Sequence, residues 1–274
     1  MATRTEAFAP AKVNLALHVT GRRADGYHLL DSLVAFADIG DRIFVDDGKG
    51  LTLSVTGPRA AGVPTGPENL VLRAATAAGV RDAAITLEKH LPAAGGIGGG
   101  SSDAAATLRA CAERFGAGLP YVLALGADVP VCMTARAARM SGIGEVVEPL
   151  DGFPDVPAVL VNPGIEVPTG AVFAGLQRRD GQLMEDLVSW TDVPALVAWL
   201  DRQRNDLEAP ALKVAPAIGD VLGALRQAGA ALARMSGSGA TCFGIFETRE
   251  QADAASWTLA SENPVWWVAP TVLR

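Results

Sequence analysis

The sequence predicts an α+β protein of two domains. Segments with strand periodicity and segments with helical spacing are partly segregated and partly alternating along the chain, a distribution typical of α+β folds. Hydrophobic residues make up 49% of the 274 residues and charged residues 19%, which is enough for one large core or two ordinary ones. The proline-rich start of the stretch 151–164 marks the expected boundary. The two domains are therefore predicted at residues 1–152 and 153–274.

The first domain is expected to begin with two paired strands. Apolar and polar residues alternate from Val13 to Val19, and residues 21–26 have the composition of a hairpin turn. A second strand is predicted from Leu30 to Phe36. The other elements predicted here are strands at 42–48, 51–57 and 83–92, helices at 68–79, 102–115 and 121–126, and a turn with paired strands at 127–150.

The second domain is expected to mix helices with short strands. A strand follows the boundary, and the segment 169–229 carries the spacing of about three helices. The chain is then predicted to continue with strands at 231–237 and 241–246, a helix at 248–260 and a final strand at 265–273.

Charge and composition exclude several classes of function. A formal charge of −7 argues against general nucleic-acid binding, so an anionic ligand would need a local site. No apolar run is long enough to cross a membrane, and the N-terminal segment lacks the apolar region of a secretory signal. The three cysteines, Cys111, Cys132 and Cys242, lack metal-ligand spacing. We therefore expect a cytoplasmic protein with no nucleic-acid or membrane partner.

A glycine-rich loop precedes the helix predicted at 102–115. Its glycines are Gly95, Gly96, Gly98, Gly99 and Gly100, and Ser101 and Ser102 follow them. Glycine allows close backbone approach to a ligand, and the free N–H groups of a helix start attract anions. The spacing matches neither the Walker A loop nor the G-x-G-x-x-G motif. Taken alone, the loop fits a phosphate site and a structural turn equally well.

Three residues after the loop have side chains that bear on this choice. Ser101 or Ser102 can cap the helix. Asp103 would lie in its first turn, where a carboxylate is favourable for the helix but repels phosphate. We expect Asp103 either to cap the helix or to coordinate a cation.

Three ordered segments resemble the GHMP kinase superfamily of small-molecule kinases. They are PAKVNLALHVTGRRADGYH near the start, LPAAGGIGGGSSDAA in the middle and MSGSGATCFGIF near the end. Within the superfamily, the chain is most similar to the branch whose acceptor is a cytidine-diphosphate-linked methylerythritol. The pieces that carry this closer resemblance, which spans about residues 8–246, are PAKVNL, DGYH, GADVPV, PGIEVPT and NDLE.

The resemblance implies a fold and a reaction. The fold would pair an N-terminal, ATP-binding domain like ribosomal protein S5 domain 2 with a ferredoxin-like C-terminal domain, and the active site would lie between them. The reaction would be transfer of a phosphoryl group from ATP, with Mg²⁺, to the 2-hydroxyl of the cytidylyl alcohol in the non-mevalonate isoprenoid pathway. The protein would be a monomer or a homodimer.

The resemblance also implies two catalytic residues. Asp128, in GADVP, matches the base that orients and deprotonates the acceptor hydroxyl, and it is also expected to contact the substrate. Lys12 matches its cationic partner, which favours the charged form of the carboxylate. The residue pattern alone also fits a turn or cap aspartate before Pro130 and a solvated lysine at a strand edge.

The same resemblance assigns the ATP site. The loop from Gly95 to Ser102 would cradle the phosphates, with both serines as hydroxyl donors. Asn69 and Lys89 match positions near the adenine nucleotide. From pattern alone, Asn69 also fits a helix N-cap and Lys89 an exposed strand residue.

The remaining implied residues bind the acceptor. Tyr27 would stack on the cytosine, His28 would hydrogen-bond its polar edge, and Phe173 would cover the other face. Asn14 and Thr169 are also expected to bind the acceptor. From the pattern alone, Phe173 fits a core position equally well, and Asn14 fits a polar strand position without a functional role. The second glycine-rich turn, residues 235–241, would support the first.

Two alternative functions remain at this stage. One is a GHMP kinase for homoserine, mevalonate or a sugar, which DGYH and PGIEVPT disfavour. The other is a non-catalytic nucleotide-binding protein on the same fold, which the presence of both Lys12 and Asp128 disfavours.

Overall fold

The computed structural model describes residues 4–93 and 95–274. Its strands are β1 (Thr5–Arg22), β2 (His28–Asp46), β3 (Leu51–Thr56), β4 (Ala83–Glu88), β5 (Ala138–Gly142), β6 (Val146–Pro149), β7 (Val156–Asn162), β8 (Leu232–Met235), β9 (Cys242–Ile245) and β10 (Trp267–Leu273). Its α-helices are α1 (Leu70–Ala77), α2 (Gly99–Phe115), α3 (Val129–Thr134), α4 (Thr169–Ala174), α5 (Val193–Leu200), α6 (Glu208–Val214), α7 (Ala217–Gln227) and α8 (Arg249–Glu262). None of the helices in these ranges has the length and hydrophobicity that a membrane crossing needs.

The predicted elements are present, with five corrections. β1 is longer than predicted, because its residues from Ala9 to His18 are buried on both faces and no period-two pattern marks its ends. The strands predicted at Leu30–Phe36 and 42–48 are one continuous strand, β2. Residues 122–125 form a 3₁₀ helix rather than an α-helix. α3 occupies part of the segment predicted as a turn with strands. Four helices, not about three, lie within 169–229.

Residues 4–12, 39–93 and 98–135 form one compact unit. In it, β3 runs parallel to β4, and β4 runs antiparallel to β2, with Ala84 opposite Asp46. α1 and α2 pack together and cover the sheet. The buried core of this unit comprises Ala9, Ile43, Val45, Val71, Ala75, Val80, Ala83, Ile85, Leu87, Ala106, Ala110 and Cys111.

Residues 13–38, 95–97 and 136–274 form a second compact unit. Its order β7-α7-β8-β9-α8-β10, with α4 to α6 inserted before α7, gives an antiparallel sheet in which the strands lie in the order β10-β7-β9-β8. This is the βαββαβ arrangement of a ferredoxin-like fold, as the resemblance implied. Apolar residues of α7 and α8, including Val221 and Leu259, form a core with the sheet residues Val159 and Val161.

The two units are discontinuous in sequence, because β1 and β2 each supply residues to both. The division into domains at residues 152 and 153 stays a prediction.

A buried arginine joins three segments of the second unit. Arg234, in β8, donates hydrogen bonds to the carbonyl oxygens of Leu15 (2.8 Å), Leu200 (3.0 Å) and Gln203 (3.0 Å). Hydrogen bonds from a charged donor are stronger than neutral ones, and a buried carbonyl that loses its donor costs free energy. Arg234 therefore fixes β1 and the segment 200–203 to the sheet.

We expect Arg234→Met to lower the free energy of unfolding by about 3 kcal/mol, because three buried carbonyl groups lose their donor. Urea denaturation measures this change. Arg226→Met, at an exposed position of α7, is the matched control and should change stability by less than about 0.5 kcal/mol. Equal stability of the two variants would contradict the role of Arg234.

Candidate active site

The two predicted catalytic side chains form an ion pair. Lys12 Nζ lies 2.9 Å from Asp128 Oδ2; the lysine side chain is 3% exposed and the aspartate side chain 32% exposed. Asp128 occupies the N-cap position of α3, yet its side chain makes no capping hydrogen bond. The solvated-lysine interpretation is therefore wrong. Asp128 does lie in a turn before Pro130, as the alternative interpretation held, but its side chain pairs with Lys12 and does not cap the helix. The pair instead presents a partly exposed carboxylate held by a buried cation.

Gly98 brings the glycine loop against this lysine. It is the N-cap of α2 and adopts a left-handed conformation, with φ of 62°. A Cβ atom on Gly98 would lie 3.2 Å from Lys12 Cβ, so a larger residue would crowd the lysine stem. The sequence therefore needs glycine here to start the helix beside Lys12.

The start of α2 keeps its backbone donors free of any side-chain cap. The helix begins at Gly99, three residues earlier than predicted, so Ser101 and Ser102 lie within its first turns and cap nothing. The first N–H groups of a helix have no intrahelical acceptor. Ser102 Oγ is buried and has no hydrogen-bond partner among the described residues. These unused donors, with Gly99 and Gly100 lacking side chains, suit an anionic ligand.

The first half of the loop rests on the second glycine-rich turn. A Cβ atom on Gly96 would lie 2.6 Å from the carbonyl oxygens of both Ser236 and Gly239, a distance that no side chain tolerates. Ser236 Oγ donates to the Gly96 carbonyl (3.0 Å), and the Thr241 N–H donates to the Gly95 carbonyl (3.0 Å). The implied support of one loop by the other is thus confirmed.

Asn14 is tied to the same turn and keeps one acceptor unused. Its backbone N–H donates to Ser236 Oγ (3.0 Å), and its side-chain Nδ2 donates to Ser32 Oγ (2.8 Å). Its Oδ1 is buried and has no partner among the described residues. A buried acceptor without a donor costs free energy unless a ligand supplies the donor.

Lys89 is not the exposed strand residue that the pattern allowed. It follows β4, is 4% exposed, and its Nζ bonds Oδ2 of Asp41 and, at 3.1 Å, Oδ2 of Asp103. Burial alone would lower the pKa of Lys89, but Asp103 and Asp41 reverse this effect and raise the pKa. Asp103 therefore neither caps α2 nor lies in its first turn; its cation is a lysine ammonium.

Asn69 is the N-cap of α1, as one interpretation held. Its Oδ1 accepts from the Val71 N–H (2.9 Å), and its Nδ2 donates to the Pro64 carbonyl (2.6 Å). Its role near the nucleotide stays a prediction.

His28 and Phe173 stack on each other in the second unit. Their ring centroids lie 4.7 Å apart with an interplanar angle of 24°. Burial lowers the pKa of His28, and the nearby Arg22 and Arg179 lower it further, so the imidazole is neutral at pH 7. Its Nε2 is buried and has no partner among the described residues. Tyr27, next in sequence, is 59% exposed.

Besides stacking on His28, Phe173 packs against the core of the second unit, so the interpretation of Phe173 as a core residue is confirmed. Thr169, the first residue of α4, lies near the second glycine-rich turn: its Oγ1 is 2.9 Å from Ser238 Oγ. Neither contact tests the predicted roles of Phe173 and Thr169 in binding the acceptor.

Asp41, Ser32, Ser236 and Ser238 were not predicted individually, although the last two lie within the turn 235–241 that was expected to support the first loop. Asp41 carried no signal in the sequence, because β2 also contains Asp31, Asp38 and Asp46. The three serines carried none, since serine is equally common on exposed turns.

Two family models match the chain. "GHMP kinases N terminal domain" matches residues 69–139 and "GHMP kinases C terminal" matches residues 174–262. The matched ranges contain the glycine loop, Asp128 and the second glycine-rich turn.

Relatives match nearly the whole chain. The 4-diphosphocytidyl-2-C-methyl-D-erythritol kinase of Dinoroseobacter shibae is 61% identical over 270 residues, covering 97% of this chain and 94% of the relative. The kinase of the same name from Paracoccus denitrificans is 56% identical over 266 residues, covering 97% and 95%.

Solved structures agree in fold. A crystal structure of 4-(cytidine 5'-diphospho)-2C-methyl-D-erythritol kinase has a TM-score of 0.76 and 36% identity and covers 98% of each chain. Mevalonate kinase of L. major has a TM-score of 0.70 at 17% identity, covering 100% of this chain and 99% of its own, which is a likeness of fold alone. The chain therefore belongs to the GHMP kinases and, within them, to the 4-diphosphocytidyl-2-C-methyl-D-erythritol kinase family.

Proposed function

We propose that this protein transfers a phosphoryl group from ATP to the 2-hydroxyl of 4-diphosphocytidyl-2-C-methyl-D-erythritol, a step of the non-mevalonate isoprenoid pathway. The observation that carries the proposal is the Lys12–Asp128 pair, at 2.9 Å, in a chain 61% identical to a kinase of that name. Relatives at 11–18% identity that are named mevalonate or homoserine kinases share the fold alone and do not argue for those acceptors.

In the proposed mechanism, Asp128 acts on the acceptor hydroxyl. The transition state of phosphoryl transfer is loose, so the base mainly orients the hydroxyl and takes its proton late. Asp128 suits this task because one-third of its side chain is exposed while Lys12 holds its other oxygen. Lys12 is buried and cannot move far, so it fixes the direction of the carboxylate.

The glycine loop and the start of α2 are the proposed site of the ATP phosphates. The uncapped N–H groups and the orphaned Ser102 hydroxyl supply donors, so a protein of net charge −7 does not need a basic surface to bind ATP. The other loop residues proposed to contact the phosphates are Gly95, Gly96, Gly98, Gly99, Gly100 and Ser101. Asn69 and Lys89 are the proposed contacts of the adenine nucleotide.

Magnesium is proposed to arrive with ATP. No group of three or more His, Cys, Asp or Glu side chains able to hold a metal ion occurs within residues 4–93 and 95–274. Mg²⁺, when bound, would neutralise charge on the ATP phosphates.

The cytidylyl end of the acceptor is proposed to bind at Tyr27, His28 and Phe173. The exposed Tyr27 ring offers a stacking face, and the neutral His28 has an unpartnered Nε2 for the polar edge of a base. Asn14 Oδ1 and Thr169 Oγ1 offer further polar contacts. A site that pairs polar groups of the base rejects headgroups that leave those groups unpaired.

A cytoplasmic location and a monomeric or homodimeric state stay predictions. Neither bears on the reaction proposed.

We expect ATP turnover by the purified protein with the cytidylyl methylerythritol and none with homoserine, mevalonate or galactose. A coupled assay of ADP release measures it for each acceptor. Turnover with one of the other three and failure with the first would contradict the proposed acceptor. Failure with all four would favour a non-catalytic nucleotide-binding protein.

Asp128→Asn should lower kcat by about 10²- to 10⁴-fold, because the amide cannot accept the proton of the hydroxyl. Calorimetric titration should still detect ATP binding, since the loop is unchanged. The matched control is Asp151→Asn, whose side chain is 96% exposed and lies outside the proposed site. Near-normal kcat in Asp128→Asn would remove Asp128 from the catalytic role.

His28→Ala should raise KM for the cytidylyl acceptor about tenfold or more and leave KM for ATP unchanged, because the base loses a hydrogen bond and a packed ring. His90→Ala, at a histidine whose ring bonds Glu88 at the surface, is the control. An equal rise of both KM values would indicate a general structural effect instead.

A further inference from the structure

A buried cluster of two carboxylates and one ammonium lies in the first unit. Asp41, Lys89 and Asp103 are 0%, 4% and 3% exposed, and the lysine Nζ bonds one oxygen of each carboxylate. If both acids were ionised, the cluster would carry a net charge of −1 at a position that bulk solvent does not reach. A buried uncompensated charge is costly, so one of the two acids is expected to hold a proton.

The hydrogen bonds distinguish the two acids. Asp41 Oδ1 accepts from the backbone N–H groups of His90 (2.6 Å) and Leu91 (2.8 Å), and its Oδ2 accepts from Lys89. Three donors stabilise the charged form of Asp41. Asp103 receives only the lysine at Oδ2, and its Oδ1 is buried without a partner among the described residues. The proton therefore belongs on Asp103.

The cluster lies directly beneath the first turn of α2. A Cβ atom on Gly99, the first residue of the helix, would be 3.3 Å from Lys89 Nζ and 4.0 Å from Asp41 Oδ2. Asp103 is one turn further along the same helix. Any net charge on the cluster would thus act on an anion bound at the helix start.

We propose that Asp103 is a positioning residue for ATP: it holds a proton at neutral pH, which keeps the cluster beneath α2 uncharged, and its ionisation weakens ATP binding. This inference rests on the proposed use of the loop by ATP phosphates. Asp103 acts through Lys89 and the helix backbone and does not itself touch the nucleotide.

The electrostatic surroundings agree with this assignment. Burial raises the pKa of Asp103 to about 8; Lys89 opposes the increase, and Asp41 adds to it. Burial also raises the pKa of the nearby Cys132 thiol of α3 to about 12, so this thiol is neutral across the same pH range. Three other charged groups lie near that thiol: Lys12 and Asp128, which form an ion pair, and the guanidinium of Arg109, which donates to the Cys132 carbonyl (2.9 Å). Asp103 is therefore the group whose charge changes beneath α2 as the pH rises through 8.

The sign of the stability effect follows from the same shift. The folded pKa of Asp103 lies above the ordinary value of 3.8, so between pH 3.8 and about 8 the folded state binds more protons than the unfolded state. The contribution of Asp103 to stability is thus fully present below that window and is lost as the pH rises through it.

The test compares wild type, Asp103→Asn and Glu113→Gln between about pH 7 and 9.5. Asparagine mimics the protonated acid in shape and charge, and Glu113 is an exposed acid on the same helix that controls for a general loss of negative charge. We expect KM for ATP to rise about tenfold across this range in wild type and in Glu113→Gln, because an added buried charge repels the phosphates. In Asp103→Asn, KM for ATP should stay near the wild-type neutral value at every pH.

Infrared difference spectra of the protein without ligands provide a readout that is independent of catalysis. Wild type should show a protonated carboxyl band that disappears as the pH rises through about 8, and Asp103→Asn should lack this band. Equal pH profiles of KM in wild type and Asp103→Asn, or the same band in both proteins, would overturn the inference. Absence of ATP turnover in all proteins at neutral pH would contradict the proposed function instead, and the infrared comparison would still decide the protonation of Asp103.

Discussion

One constraint governs the proposed site: an acidic chain that binds ATP phosphates has to bring its backbone close to a polyanion. At a net charge of −7, electrostatic attraction by a basic surface is not available. The chain meets the constraint with two glycines of different function. Gly96 allows its loop to lie on the turn 235–241, where a Cβ atom would meet two carbonyl oxygens at 2.6 Å, and Gly98 starts α2 in a left-handed conformation beside Lys12. The donors of the helix start are then free for a ligand.

The same constraint explains where the few buried charges lie. Lys12 and Lys89 are both almost fully buried, and both lie beside the start of α2, as the Cβ distances from Gly98 and Gly99 indicate. Each lysine is compensated by carboxylates, so neither leaves an unpaired charge in the interior. Lys12 pairs with one acid that remains partly exposed, whereas Lys89 pairs with two that do not. The first arrangement leaves a carboxylate able to meet a substrate, and the second leaves a group able to hold a proton.

Local patterns predicted most of the helices and strands. The ferredoxin-like order of the second unit and the pairing of Lys12 with Asp128 were implied by the resemblance to the GHMP kinases, and the structure contains both. The buried ion pair of Asp41 and Lys89 could not be predicted in the same way. These residues lie 48 positions apart in the sequence, and no local periodicity indicates that they are in contact. α3 was missed because Pro130, within its first turn, resembles a turn signal in a segment of only six helical residues.

The position of Lys89 refines its predicted contact with the nucleotide. An ammonium group has three donors; among the described residues Asp41 and Asp103 accept two of them, which leaves one N–H for another acceptor. Burial alone would lower the pKa of Lys89, but the neighbouring Asp103 and Asp41 raise it, so the ammonium group keeps its charge. A nucleotide contact by Lys89 would therefore be a single directional hydrogen bond from a fixed ammonium group, and the charge that a bound phosphate experiences would be set by the state of Asp103. Under this arrangement the lysine supplies geometry, and the carboxyl group beside it controls the net charge.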